Sequence, residues 1–103
     1  MGYDELILFN ALESIVWYNG HYRWLTKLVK ILESDNVEGN ISCPDFCKER
    51  DTEAHFIWML LVGVFGDWGT SINSGWINYD KRKEAAQFIE ELCAESWKAE
   101  EWI

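Results

Sequence analysis

Residues 54–65 read AHFIWMLLVGVF, one of the most apolar runs in the chain. Whether this run is a strand or a helix decides the fold class. Val62, Val64 and Phe65 would suit a buried strand. The length of the run, with Glu53, Ala54, Met59, Leu60 and Leu61, predicts a helix instead. Being apolar nearly all round, it is expected to lie at the centre as the most buried element.

The flanking sequence carries helical spacing on both sides. From 4 to 18, Leu8, Ala11, Leu12, Ile15 and Val16 fall on one face. Asp4 and Glu5 suit the positive end of that helix, and Asn19-Gly20 supplies a stop. A second helix is predicted over 21–33, with Trp24, Leu25, Leu28, Val29 and Leu32 inward and Arg23, Lys27 and Lys30 outward. The stretch 34–44, SDNVEGNISCP, reads as a loop, after which Pro44 suits the opening of a helical stretch at Asp45. A fourth helix is predicted from about 80 to 97 or beyond. Ala85, Phe88, Ile89, Leu92, Cys93 and Trp97 form its inward stripe, with Glu84, Glu90, Glu91 and Glu95 outside that stripe or on its border. The expected architecture is all-α: one domain over 1–103, a bundle of about four helices, and no sheet beyond a short hairpin.

Composition narrows the function classes. With 49% hydrophobic and 16% aromatic residues, a disordered chain is excluded. Nine basic residues against eighteen acidic ones give a net charge of −9, which disfavours direct binding to a nucleic-acid backbone. Such a surface suits a basic protein partner or mimicry of a polyanion. Seven tryptophans are more than a small core readily hides, so some are expected at an interface, self-association included. Three cysteines, and an opening MGYDELILFN that is acidic where a secretory leader would be basic, point to a reduced cytoplasm. Met1-Gly2 does not make a myristoylation site, since Leu6 stands where Ser or Thr is needed. No apolar run approaches membrane-spanning length.

The segment after the apolar helix, FGDWGTSINSGWI at 65–77, is unlike the rest. Its glycines permit close backbone approach, and Asp67, Thr70, Ser71, Asn73 and Ser74 can satisfy loop backbone groups. Trp68, Ile72, Trp76 and Ile77 are apolar anchors, so a packed loop is expected rather than a linker. The segment resembles a GD-aromatic-GTS…SGWI signature of small proteins from bacteriophages and mobile elements of Gram-positive bacteria. The match covers 66–77, with Ile72 where that signature is expected to have proline. The resemblance implies a mobile-element origin and brings no catalytic residues with it.

Chemistry-bearing residues are sparse. The loop lacks both G-x-x-x-x-G-K-[ST] and G-x-G-x-x-G, so it is not a recognisable phosphate cradle. His21 and His55 are the only histidines. His55 is expected to be a satisfied structural residue, since Glu53 two positions away does not face it on a helix. A zinc site from Cys43, Cys47, Cys93 and His55 would need four ligands without recognisable spacing. Cys47 and Cys93 read as small core residues, and Cys43 as the most exposed thiol. Lys81-Arg82-Lys83 opposes the dipole at a helix start, which reads as a solvated cluster or as a carboxylate or phosphate contact.

These observations predict a non-enzymatic, acidic, cytoplasmic protein-binding module without cofactor or metal. Its expected partner is a host protein with a basic surface, such as a defence nuclease of the CRISPR-effector class. Neither nucleic acid nor membrane is bound directly. The residues expected to meet the partner are Asp67, Trp68, Trp76, Glu90, Glu91, Glu95 and Trp102. The competing expectation is a small ligand-binding or enzymatic domain centred on the loop 66–77.

Overall fold

The computed structural model of the chain describes residues 2–19, 23–34, 38–69 and 75–101, with Tyr18, Asn19 and residues 95–101 described by backbone alone. Four α-helices carry the fold: α1 (Tyr3–Ser14), α2 (Arg23–Glu33), α3 (Glu53–Phe65) and α4 (Arg82–Glu101). Helix α2 packs on α4, and α1 packs on α3. The fold class is therefore the all-α bundle that the apolar periodicity predicts.

Each helix buries the face its sequence marks. Leu8 and Leu12 of α1, four residues apart, are fully buried. The helix does not run unbroken to residue 18 as expected, but passes into a π-helical turn over Ile15–Asn19. The wider turn keeps adjacent Ile15 and Val16 both inside while Trp17 stands exposed. In α2, Leu25, Leu28, Val29 and Leu32 are buried and Arg23, Lys27 and Lys30 are exposed. Trp24 sits at the edge of that stripe, half-buried.

Helix α3 contacts α1, α4 and the small sheet. Thr52 caps it, its Oγ1 accepting from the His55 backbone N–H at 3.1 Å. Ala54, Ile57, Trp58, Leu61, Val62 and Phe65 are buried. The expectation of burial all round fails at Phe56, which is 53% exposed, and at Gly63, which is also exposed. One flank of α3 faces solvent because the bundle is too small to surround it.

The sheet exceeds the expected hairpin. β1 (Ile41–Ser42), β2 (Gly66–Asp67) and β3 (Trp76–Ile77) form an antiparallel sheet in the order β1-β3-β2. Ile41 pairs with Ile77, and Gly66 pairs with Ile77 from the other side. Ile41 and Ile77 are both buried, so the pairing of 41–42, read from sequence as loop, closes apolar side chains onto the core. A two-residue strand is too short for alternation to reveal it.

A 3-10 turn over Tyr79–Lys81 leads into α4, whose buried residues include Ala85, Ala86, Ile89 and Cys93. Phe88 meets Phe65 edge to face, with centroids 6.0 Å apart, and ties α4 to the end of α3. Trp97, expected in the inward stripe, has its side chain outside the described residues. Among the described residues no helix is long and apolar enough to cross a membrane.

Arg82 corrects the reading of Lys81-Arg82-Lys83 as a solvated cluster or an anion contact. Lys81 and Lys83 are exposed, but Arg82 is 5% exposed. Its Nη1 donates to the carbonyl oxygens of Leu32 at 2.9 Å and Ser34 at 3.0 Å, and its guanidinium lies 4.7 Å from the Tyr79 ring centroid. The cation sits at the negative end of the α2 dipole and satisfies carbonyls that a helix end leaves open.

Candidate functional site

The segment expected to carry function lies where α3 ends. Gly66 is required there: a Cβ at this position would collide with the Trp76 carbonyl across the β2–β3 ladder. Gly75 is buried, and a Cβ on it would lie 2.9 Å from Val62 Cγ1 and 3.1 Å from Trp68 Cε3. Two glycines of the signature, Gly66 and Gly75, thus serve close packing of backbone against backbone and of backbone beneath a tryptophan, while exposed Gly69 takes a left-handed backbone with φ 65°.

The anchors fit this packing. Ile77 is fully buried, and Trp68 and Trp76 are half-buried. Trp76 Nε1 donates to Asn78 Oδ1 at 3.1 Å, and the Asn78 backbone N–H reaches the Phe65 carbonyl at 3.1 Å. Asp67 is exposed at the edge of the sheet. Ile72 and the polar residues 70–74 lie outside the described residues.

Trp68 and Gly75 share a cavity of about 280 Å³ with Trp58, Met59, Cys43, Lys48, Arg50 and His55. Sequence reasoning did not join these residues. The cavity is assembled from the sheet-side turn, the segment before α3, α3 itself and the glycine-tryptophan segment, whose meeting depends on tertiary packing. The available hint was the unusual density of tryptophan around apolar residues 54–65.

A cysteine and a histidine on one cavity raise the question of nucleophilic catalysis. The Cys43 thiol is held above its ordinary value, chiefly by burial; Lys48 opposes that effect and Asp45 adds to it. A thiol in that state is protonated and a poor nucleophile. His55 Nδ1 lies 2.9 Å from the Cys47 carbonyl oxygen, which makes Nδ1 the donor and fixes the ring. His55 is thus the structural histidine the sequence suggested. Cys47 and Cys93 are buried, and burial pushes their thiols up to about 12 and about 11. Among the described residues, no group of three or more His, Cys, Asp or Glu is placed to hold a metal ion.

The acidic residues belong to a different surface. Glu84 and Glu91 are exposed on α4, two turns apart on one face, and Gln87 between them donates to Glu91 Oε1 at 3.0 Å. Glu90 is half-buried beside α2 and hydrogen-bonds Glu33. Its carboxyl is held above the ordinary glutamate value, first by that hydrogen bond, then by desolvation and the Glu33 charge. The Glu95 side chain and Trp102 lie outside the described residues.

No family model, curated protein or solved structure matches this chain.

Proposed function

We propose that the chain is a non-enzymatic acidic protein-binding module, of bacteriophage or mobile-element origin, that occupies the basic surface of a host protein. The class of partner it suits is a nucleic-acid-binding defence effector, such as a CRISPR nuclease, whose channel the carboxylates would block. The observation that carries the reading is the carboxylate density of α4: exposed Glu84 and Glu91 beside a Glu33–Glu90 pair close enough to share a proton. Natural surfaces usually intersperse charges of both signs, because like charges in contact cost stability. A face that retains such crowding suits a cationic partner, which would relieve it on binding.

The origin rests on the resemblance at 66–77, and the absence of direct nucleic-acid binding rests on the net charge of −9. The alternative, a small ligand-binding domain centred on that segment, is favoured by one specific observation: Trp68 and Gly75 line a cavity.

The test is the double reversal Glu84→Lys with Glu91→Lys on a partner captured by the wild-type chain. Both positions are exposed, so stability should stay within about ±0.5 kcal/mol. Association should slow strongly at low salt. The difference should shrink as ionic strength rises, since screening shortens to about 8 Å under physiological conditions. Nucleic acid should compete with the wild-type chain. An unchanged association rate at low salt would refute the reading.

A further inference from the structure

We propose that the cavity between α3 and the glycine-tryptophan segment binds a small planar anion, an aromatic carboxylate of one or two rings. The inference does not depend on the acidic-helix reading.

Charge is the first argument. The chain has twice as many acidic as basic residues, yet among the described residues the charged ones lining the cavity, Lys48 and Arg50, are both cations. Glu49 and Asp51 alternate with them along the turn and do not line it. Arg50 makes no ion pair among the described residues, and its planar fork matches a carboxylate in two-point geometry. Lys48 pairs with Asp45 at 3.1 Å, but both side chains are largely exposed, so the pair is weak and readily exchanged for a ligand.

The walls supply the second argument. Trp58 is nearly buried and Trp68 half-buried, and with Met59 they give aromatic and thioether surface suited to a flat ring. A volume of about 280 Å³ falls just below the usual lower limit of about 300 Å³ for drug-sized ligands, which selects one or two rings over a nucleotide.

Preorganisation is the third. Asp51 adopts a left-handed backbone with φ 64°, and Thr52 Oγ1 donates to the Glu49 carbonyl at 2.8 Å while capping α3. That turn sets Arg50 at the positive end of a 13-residue helix. The His55 ring is fixed through Nδ1 and forms a rigid wall of the cavity. Pre-set groups of this kind lower the ordering cost of binding.

The test uses the full chain with 2-naphthoate, the neutral 2-naphthamide and acetate as probes, followed by ligand-observed NMR and calorimetry. Naphthoate should bind with a Kd on the order of 1 mM or tighter, and both controls should bind about tenfold more weakly. Arg50→Gln should weaken naphthoate about tenfold, and Lys48→Gln by a smaller factor, with melting temperatures unchanged because both positions are exposed. Trp68→Phe should retain binding, whereas Lys27→Gln, on exposed α2 surface, should change nothing. Equal affinity for naphthoate and naphthamide would overturn the anion assignment. Naphthoate binding untouched by Arg50→Gln, or no binding at all, would overturn the site.

Discussion

Replacing Arg82 by alanine tests the least anticipated part of the fold. The guanidinium is 5% exposed, and Nη1 bonds the Leu32 and Ser34 carbonyl oxygens at 2.9 and 3.0 Å. A hydrogen bond to a charged group contributes about 1.5–3 kcal/mol net. The Leu32 contact is buried and should count in full. The Ser34 contact is partly solvated and shares the same donor nitrogen, so it counts for less. Together they contribute about 2–3 kcal/mol, and the stacking on Tyr79 adds about 0.5–1 kcal/mol. Arg82→Ala should therefore lose about 2.5–4 kcal/mol in urea denaturation followed by circular dichroism. That is a large share of the roughly 5–15 kcal/mol that holds a domain together. Arg82→Met keeps the aliphatic stem and should still lose the hydrogen-bond part, while Arg82→Lys should recover only some of it. Lys81→Ala and Lys83→Ala, exposed on either side, should stay within about ±0.5 kcal/mol. A loss below about 1 kcal/mol for Arg82→Ala, or wild-type stability for Arg82→Met, would refute the reasoning.

Two glycines in one neighbourhood should respond in opposite directions. Gly63 is exposed within α3 with open space where a Cβ would stand, so Gly63→Ala should stabilise by about 0.5–1 kcal/mol in the same assay. Gly66→Ala meets the Trp76 carbonyl and should cost at least about 1–3 kcal/mol, with loss of hydrogen-exchange protection at Ile77. Glu33→Gln tests the carboxyl pair through pH. Because the folded state raises the Glu90 value, the shared proton stabilises the fold in acid, and that contribution is lost as pH rises through the folded value. Wild-type stability should fall relative to Glu33→Gln as pH rises above the ordinary glutamate value, and parallel pH profiles would contradict the pairing.

Local sequence determined the four helices: α1, α2 and α4 through apolar periodicity, and α3 through the length of a run that is apolar nearly all round. Leu25, Leu28, Val29 and Leu32 are an example, and their burial follows from spacing alone. It also marked Trp68, Trp76 and Ile77 as packing residues, since they gain by covering apolar surface; residues 70–74 of the same segment lie outside the described residues. His55 and Cys47 were legible as structural residues for the same local reasons. Tertiary structure alone decided the strand at Ile41–Ser42, whose signal is two residues long and whose partner Ile77 is distant in sequence. It also decided Arg82, which looks like its lysine neighbours until the end of α2 is brought beside it. The cavity is the clearest case. Cys43, Lys48, Arg50, His55 and Trp68 carry no shared spacing, and only the packing of α3 against the sheet sets them around one space. A periodic pattern records which face of a helix meets the core; which faces meet each other depends on long-range contacts that no local stretch encodes.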